Sequence, residues 1–531
     1  MSIMERPAVK ELANGGKCWE HRYDEFFMKE YVPATDIDGQ VNNYCFRAPL
    51  LLVFEEKQMS MEEAVDFAEA SGLASIASKN DAGVVFVYPT AEGGWANADV
   101  KLYQELIASV KMVPEYHDGI AEWNDFFARE FKGYFIRGAI FRADIYSFGA
   151  SADYVAKNLL KKVDGEYLWG PGEITPAMCS MERLSVKVIP ERKDIGILSV
   201  NNSDEINKGF EGCENLLIKE KAEYEADFKS FVRKFKMWCG NMEIEPDFEE
   251  LGMKEDVGHA VVKTSSDNKG KFKDTSEHKV GYFAYYNEGI FDNGPAPMLL
   301  GFHGGGDSSM FFTFVPRWWE VCHDHDFLYV AIENHQDVTA SEVMDVIAHL
   351  KERYSVDEHR IYAAGFSMGS GKTWDLYQEY PEVFAGMAPA CALFPVKGNP
   401  FGKSLEDGIN TTVPVPMFYS GGENSPLTEL VCQGESGLER IQYAAGTNKL
   451  NKKFDYSFDN KDSWKDPVWA EEPDKSVTLH DDERDANLRI NYYNSEDGVC
   501  RTAFASVSGQ LHELRHHTAE ESWKFISQFT R

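Results

Sequence analysis

The sequence predicts an α/β fold arranged as two doubly wound units in tandem, each with a mostly parallel sheet. Three observations predict it. From Arg360, RIYAAGFSMGSGKTWDLYQEY passes from an apolar strand through a glycine-flanked turn into a helix. From Ala296, APMLLGF is a second apolar strand that runs into His303-Gly304-Gly305-Gly306. Both pieces recur in altered form in the first half of the chain.

The chain of 531 residues is too long for one ordinary core, and 43% hydrophobic and 13% aromatic residues are enough to fill two. The expected division is a first domain over 1–240 and a second over 257–531. Between them a polar, acidic linker runs around Trp238 to Asp256. The 54 basic against 87 acidic residues leave a net charge of −33, which repels phosphate backbones and anionic lipid, so neither nucleic acid nor membrane is expected as a partner. The sequence leaves room for a homo-oligomer. The opening residues lack the basic start and apolar run of a signal peptide, no stretch of about 18 apolar residues occurs, and the nine cysteines form no CxxC pair. A cytoplasmic location is therefore expected. Without HExxH, paired CxxC or a dinucleotide fingerprint, no metal or organic cofactor is expected.

The turn Gly365-Phe366-Ser367-Met368-Gly369 has the form of a nucleophile elbow. Its glycines are needed because the chain bends so sharply that side chains there would strike neighbouring backbone, and the bend lifts the Ser367 hydroxyl to the start of the following helix. Acyl transfer puts negative charge on a former carbonyl oxygen, which must be met by fixed N–H groups. Glycines after a strand let backbone amides come close, so Gly304 and Gly305 are assigned to an oxyanion hole with the amide of Met368.

A general base is expected after the last strand, in the order serine, acid, histidine. CRTAFASVSGQLHELRHH offers a strand and then His512, with His516 and His517 as competitors further on. His512 lies nearest the strand end and is preferred. For the acid, the strand-like VPVPMFYSGG ends at Gly422 and Glu423 follows it; Asp485 and Asp497 are alternates. The aromatics Phe311, Phe312, Trp318 and Trp319 suit either an acyl pocket or the core face of a helix. The long polar stretch from Leu427 to about Asp485 suits either a cap or surface decoration.

Taken together, YSVDEHRIYAAGFSMGS, YPEVFAGMAP, the HGGG strand and the ending GQLHE with WKFISQFTR resemble the polyhydroxybutyrate depolymerase and feruloyl-esterase-like branch of the α/β-hydrolases, over about half of the chain. The resemblance implies a serine esterase that works through an acyl-enzyme, with Ser367, His512 and an acid as triad and a small-molecule ester as substrate. Ser370 departs from the pattern where a second glycine often follows the elbow, and so does GGENSP, where a plain aspartate after glycine is usual.

In the first half, APLLLVFEEKQMS from Ala48 matches the HGGG strand, and DIYSFGASADYVAKNLL from Asp144 matches the elbow segment. This pairing sets Glu55 and Glu56 against His303 and Gly304, and Ser151 against Ser367. A carboxylate where amides should point, and Asp153 near the serine, predict a catalytically dead copy that serves as a companion domain or as a substrate-binding module. A serine peptidase or acyltransferase would use the same residues as an esterase, and a non-catalytic binding protein is the remaining class.

Overall fold

A computed structural model describes the chain apart from residues 1–7, 35–47, 81, 112–114, 117–118, 121–137, 168–169, 231–233, 237–241, 269–274, 306–308, 334–337 and 393–407. It divides into two compact units, Met1–Asp247 and Phe248–Arg531.

The second unit is built on a ten-stranded sheet. Its strands here are β9 (Met253–Lys263), β10 (Glu277–Asn287), β11 (Ala296–Phe302), β12 (Leu328–Ile332), β13 (Val356–Phe366), β14 (Gly386–Ala390), β15 (Met417–Gly422), β16 (Lys475–Asp481), β17 (Ala486–Asn494) and β18 (Cys500–Val507). They lie in the order β9-β10-β12-β11-β13-β14-β15-β18-β17-β16. The block from β12 to β18 is parallel, and the strands outside it pair antiparallel. The helices are α5 (Ser309–Phe314), α6 (Trp318–His325), α7 (Ala340–Arg353), α8 (Met368–Glu379), α9 (Glu435–Thr447) and α10 (His516–Ile526).

Parallel strands covered by helices on both faces bury every residue, which is why they read as unbroken apolar runs. Alternate residues then separate the two faces. Met298, Leu300, Phe302, Val330 and Ala363 join one core with Val346 and Leu350 of α7, Trp374 of α8 and Ile441 of α9. On the other face Trp318 of α6 stacks on Tyr329 at 6.2 Å, and Trp523 of α10 meets Tyr362 edge-on at 5.2 Å. The helix α7 opens on a capping box, in which Thr339 and Glu342 satisfy each other's backbone amides.

Several sequence expectations are settled by this core. Phe311, Phe312 and Trp318 are buried packing residues, and Trp319 packs edge-on against Phe248. The stretch after Leu427 is neither cap nor decoration: Leu438, Ile441, Phe454 and Trp469 are part of the central core. The linker is shorter than expected, because β9 begins at Met253 and pairs along its whole length with β10. Its first residues, Met253 to Asp256, belong to the acidic stretch that reads as linker, while VGHAVVK from Val257 reads as strand. Residues 238–241 of the expected linker lie outside the described residues.

The first unit holds a nine-stranded sheet. Its longer strands are β1 (Lys17–Arg22), β2 (Phe26–Val32), β3 (Pro49–Phe54), β4 (Val84–Pro89), β5 (Ala139–Phe148), β6 (Met178–Glu182), β7 (Gly196–Val200) and β8 (Leu216–Lys219), and α3 (Ala150–Asn158) follows β5 directly. From β1 the order is β1-β2-β4-β3-β5-β6-β7-β8. The block from β4 to β8 is parallel, and β2 meets it antiparallel. This is the same sequence of orders and orientations as β9-β10-β12-β11-β13-β14-β15-β18 in the second unit.

Candidate active site

At the end of β13 the chain turns through Ser367, whose φ of 54° and ψ of −114° lie where an L-residue is strained. Neighbouring backbone holds it there. The Ser367 amide donates to Ala390 O at 3.0 Å, and its carbonyl accepts from Gly371 N at 3.1 Å. A Cβ on Gly365 would stand 2.1 Å from Gly369 O, and one on Gly369 would stand 2.0 Å from Phe302 O, so both motif glycines are sterically required. No side chain caps α8, which leaves its first amides, Met368 among them, open at the positive end of the helix. The departure at Ser370 is accommodated: its hydroxyl donates to Ala392 O at 3.1 Å.

His512, in the loop between β18 and α10, comes to 2.8 Å from Ser367 Oγ through Nε2. Its ring lies against Phe366, with centroids 4.9 Å apart. His516 is instead the first residue of α10 and lies 3.9 Å from Glu320, and His517 follows it in that helix.

None of the three carboxylates picked out in the sequence is the one that pairs with His512. Glu423 follows β15 as expected, but its side chain is exposed and accepts from Ser506 Oγ at 2.9 Å. Asp485 is almost fully exposed in the turn between β16 and β17, and Asp497 pairs with Arg501 at 2.7 Å. The carboxylate against His512 belongs to Glu429, whose Oε1 lies 2.5 Å from Nδ1. The reason is the path of the chain: after Glu423 it loops outward through Pro426 and returns, and Glu429 is fully buried where Glu423 points to solvent. A signal for this was present. In PLTELVCQ a carboxylate is enclosed by apolar residues, and a buried charge has to find a partner.

Of the oxyanion candidates, Gly304 is buried and Gly305 exposed after β11, while Gly306 and Asp307 lie outside the described residues. His303 is buried, with Nδ1 2.8 Å from Gly304 O. The close approach of Gly369 to Phe302 O and His303 O brings the amide end of α8 to the start of this loop. One serine, one imidazole and one carboxylate thus form a hydrogen-bonded chain at the carboxyl ends of parallel strands. Among the described residues no cluster suited to a metal ion is found.

No family model matches the chain, and no curated protein matches it. Solved structures similar to it include a thermostable esterase, with TM-score 0.25 and 16% identity over 39% of this chain and 56% of that one. The chain thus spans little more than half of that esterase. A mutant of the feruloyl esterase module from Clostridium thermocellum complexed with sinapinate follows at TM-score 0.32 and 12% identity, covering 54% of this chain and 92% of that one. Acetyl xylan esterase from Aspergillus awamori gives TM-score 0.33 and 13% identity, over 51% and 98%. Likenesses this loose carry no assignment of function, and the weight falls on the geometry around Ser367.

The first unit has a corner of the same kind, but not where the repeat places it. After β5 it is Gly149 that adopts φ 51° and ψ −114°, as the residue before α3. The strand registers agree: Phe54 pairs with Ser147, and Phe302 with Gly365. Gly149 therefore corresponds to Ser367, and Ser151 to Gly369. Ser151 is fully buried and donates to Phe54 O at 2.7 Å, the counterpart of the carbonyl that Gly369 crowds. The sequence pairing was two residues out of step because it aligned serine with serine. Where a nucleophile side chain would begin, the Glu56 carboxylate stands 2.2 Å from the position of a Cβ on Gly149, and it pairs with Arg183 at 2.7 Å. The cleft there, about 1140 Å³, is lined by Glu56, Glu182, Arg183, Glu220 and Lys221, with no histidine among the described residues that line it.

Proposed function

We propose that the second unit is a serine-dependent carboxylic ester hydrolase with Ser367, His512 and Glu429 as its triad. The observation that carries this reading is the unbroken chain from Ser367 Oγ to His512 Nε2 and from His512 Nδ1 to Glu429 Oε1, set on a strained elbow. His512 takes the Oγ proton as Ser367 attacks the ester carbonyl carbon. The oxyanion that forms is met by the Met368 amide and by amides of the Gly304-Gly305 loop. As the tetrahedral species collapses, the bond to the leaving alcohol breaks and His512 passes its proton to that oxygen. Water then attacks the acyl-enzyme by the same route, releasing the acid and restoring Ser367. Glu429 fixes the imidazole and offsets its developing charge.

The first unit is a copy of this architecture without its chemistry. Gly149 supplies no hydroxyl, Glu56 fills the vacated place, and Ser151 is a packing residue. The test is hydrolysis of p-nitrophenyl acetate by wild type, Ser367→Ala and Ser151→Ala. Activity lost in Ser367→Ala and kept in Ser151→Ala is expected; activity that survives Ser367→Ala sinks the mechanism.

A further inference from the structure

Glu429 is not presented by a regular element, so something other than secondary structure must aim its carboxylate. Its backbone is tied down by Gln433, whose carboxamide oxygen accepts from the amides of Glu429 and Leu430 at 2.9 and 2.8 Å. The carboxamide nitrogen donates to Gly422 O at 2.9 Å, which fastens the loop to the end of β15. That leaves the side-chain torsions. Oε2 accepts from the Gly422 amide at 2.7 Å, and Oε1 accepts from Ser425 Oγ at 2.5 Å on the same oxygen that faces His512. The Ser425 hydroxyl has little choice of direction, because it accepts from Leu427 N at 3.1 Å and so turns its only proton to Glu429.

Resting on the triad reading above, we infer that Ser425 is a positioning residue, which with the Gly422 amide fixes the carboxylate plane so that Oε1 lies in line with Nδ1 of His512. Without Ser425 the Gly422 N–H would still hold Oε2, but Oε1 would keep no hydroxyl donor beside the imidazole it has to orient. Charge-assisted hydrogen bonds from two sides hold the carboxylate before the imidazolium forms. A partner held this way acts on the chemical step and not on substrate binding, since neither Ser425 nor Glu429 is assigned a contact with the ester.

The experiment uses the full chain, with Ser425→Ala, Ser425→Thr and, as control, Ser506→Ala, whose hydroxyl serves the exposed Glu423. With p-nitrophenyl acetate, Ser425→Ala is expected to lower kcat about tenfold with KM within about twofold, the scale of a small misplacement of a catalytic group. Ser425→Thr keeps the hydroxyl and should recover most of the loss, while Ser506→Ala behaves as wild type. In parallel, the low-field proton resonance of the His512–Glu429 hydrogen bond is recorded by NMR; it should move in Ser425→Ala and stay in Ser506→Ala. This second reading needs no turnover, so an inactive wild type would refute the ester hydrolase while leaving the role of Ser425 to be judged by the resonance. A resonance unmoved in Ser425→Ala, a kcat within twofold of wild type, or a threonine variant as impaired as the alanine one overturns the inference.

Discussion

At the scale of single residues, two glutamates six positions apart occupy opposite situations. Glu429 is buried against His512, and Glu423 is exposed beside Ser506. Glu429→Gln is expected to lower kcat on the order of 10³- to 10⁴-fold, because an amide can neither offset the imidazolium nor hold the correct tautomer. Glu423→Gln should leave it within about twofold, as befits an exposed group. Steady-state kinetics on the pair decides the matter, and a large loss in Glu423→Gln would return the acid to the position that sequence spacing suggested. That Ser367 and His512 meet at a strand end was legible because sterics dictate what surrounds such a turn: glycine at the crowded points. The carboxylate that faces His512 was not, since any one that can reach Nδ1 can pair with it and the outward loop hides which one does.

At the scale of elements, strands such as β3, β7, β11, β13 and β15 could be read because burial on two faces demands continuous apolar residues. The edge strand β9 could be read only from Val257 onward, since its first residues are polar and acidic. The helix α8 behind the elbow has a further property. Burial lifts the carboxyl of Asp375 from its ordinary 3.8 to about 6, against the pull of Lys372 at 3.3 Å. The folded chain therefore holds this proton more tightly than the unfolded chain does. Stability from this group is full below about pH 4 and is lost as pH rises to about 6, beyond which it changes no further. Asp375→Asn cannot titrate, so its melting temperature relative to wild type should climb between those two pH values and then level off. A difference that stays flat from pH 4 to 7 would show that Asp375 ionises as freely in α8 as in the open chain.

For the molecule as a whole, two sheets with the same order and orientation carry very different strand ends. The repeat was visible in sequence, but its register was not, because matching letters favoured Ser151 over the glycine that has the backbone shape. Restoring a nucleophile to the first unit should accordingly fail. Gly149→Ser in a Ser367→Ala background is expected to hydrolyse no ester, since its Cβ would collide with Glu56 and no histidine is among the described residues that line that cleft. Measurable turnover by this double variant would mean that the first unit lost only its hydroxyl.

The corner shared by Gly149 and Ser367 has a last consequence. A serine held at φ 54° stores on the order of 1–3 kcal/mol, whereas glycine takes the same shape with almost no penalty. One bend is thus a loaded spring in the second unit and a slack one in the first. Exchanging serine for glycine at such a corner moves the backbone downhill, and each return to a hydroxyl must climb back against the relaxed turn.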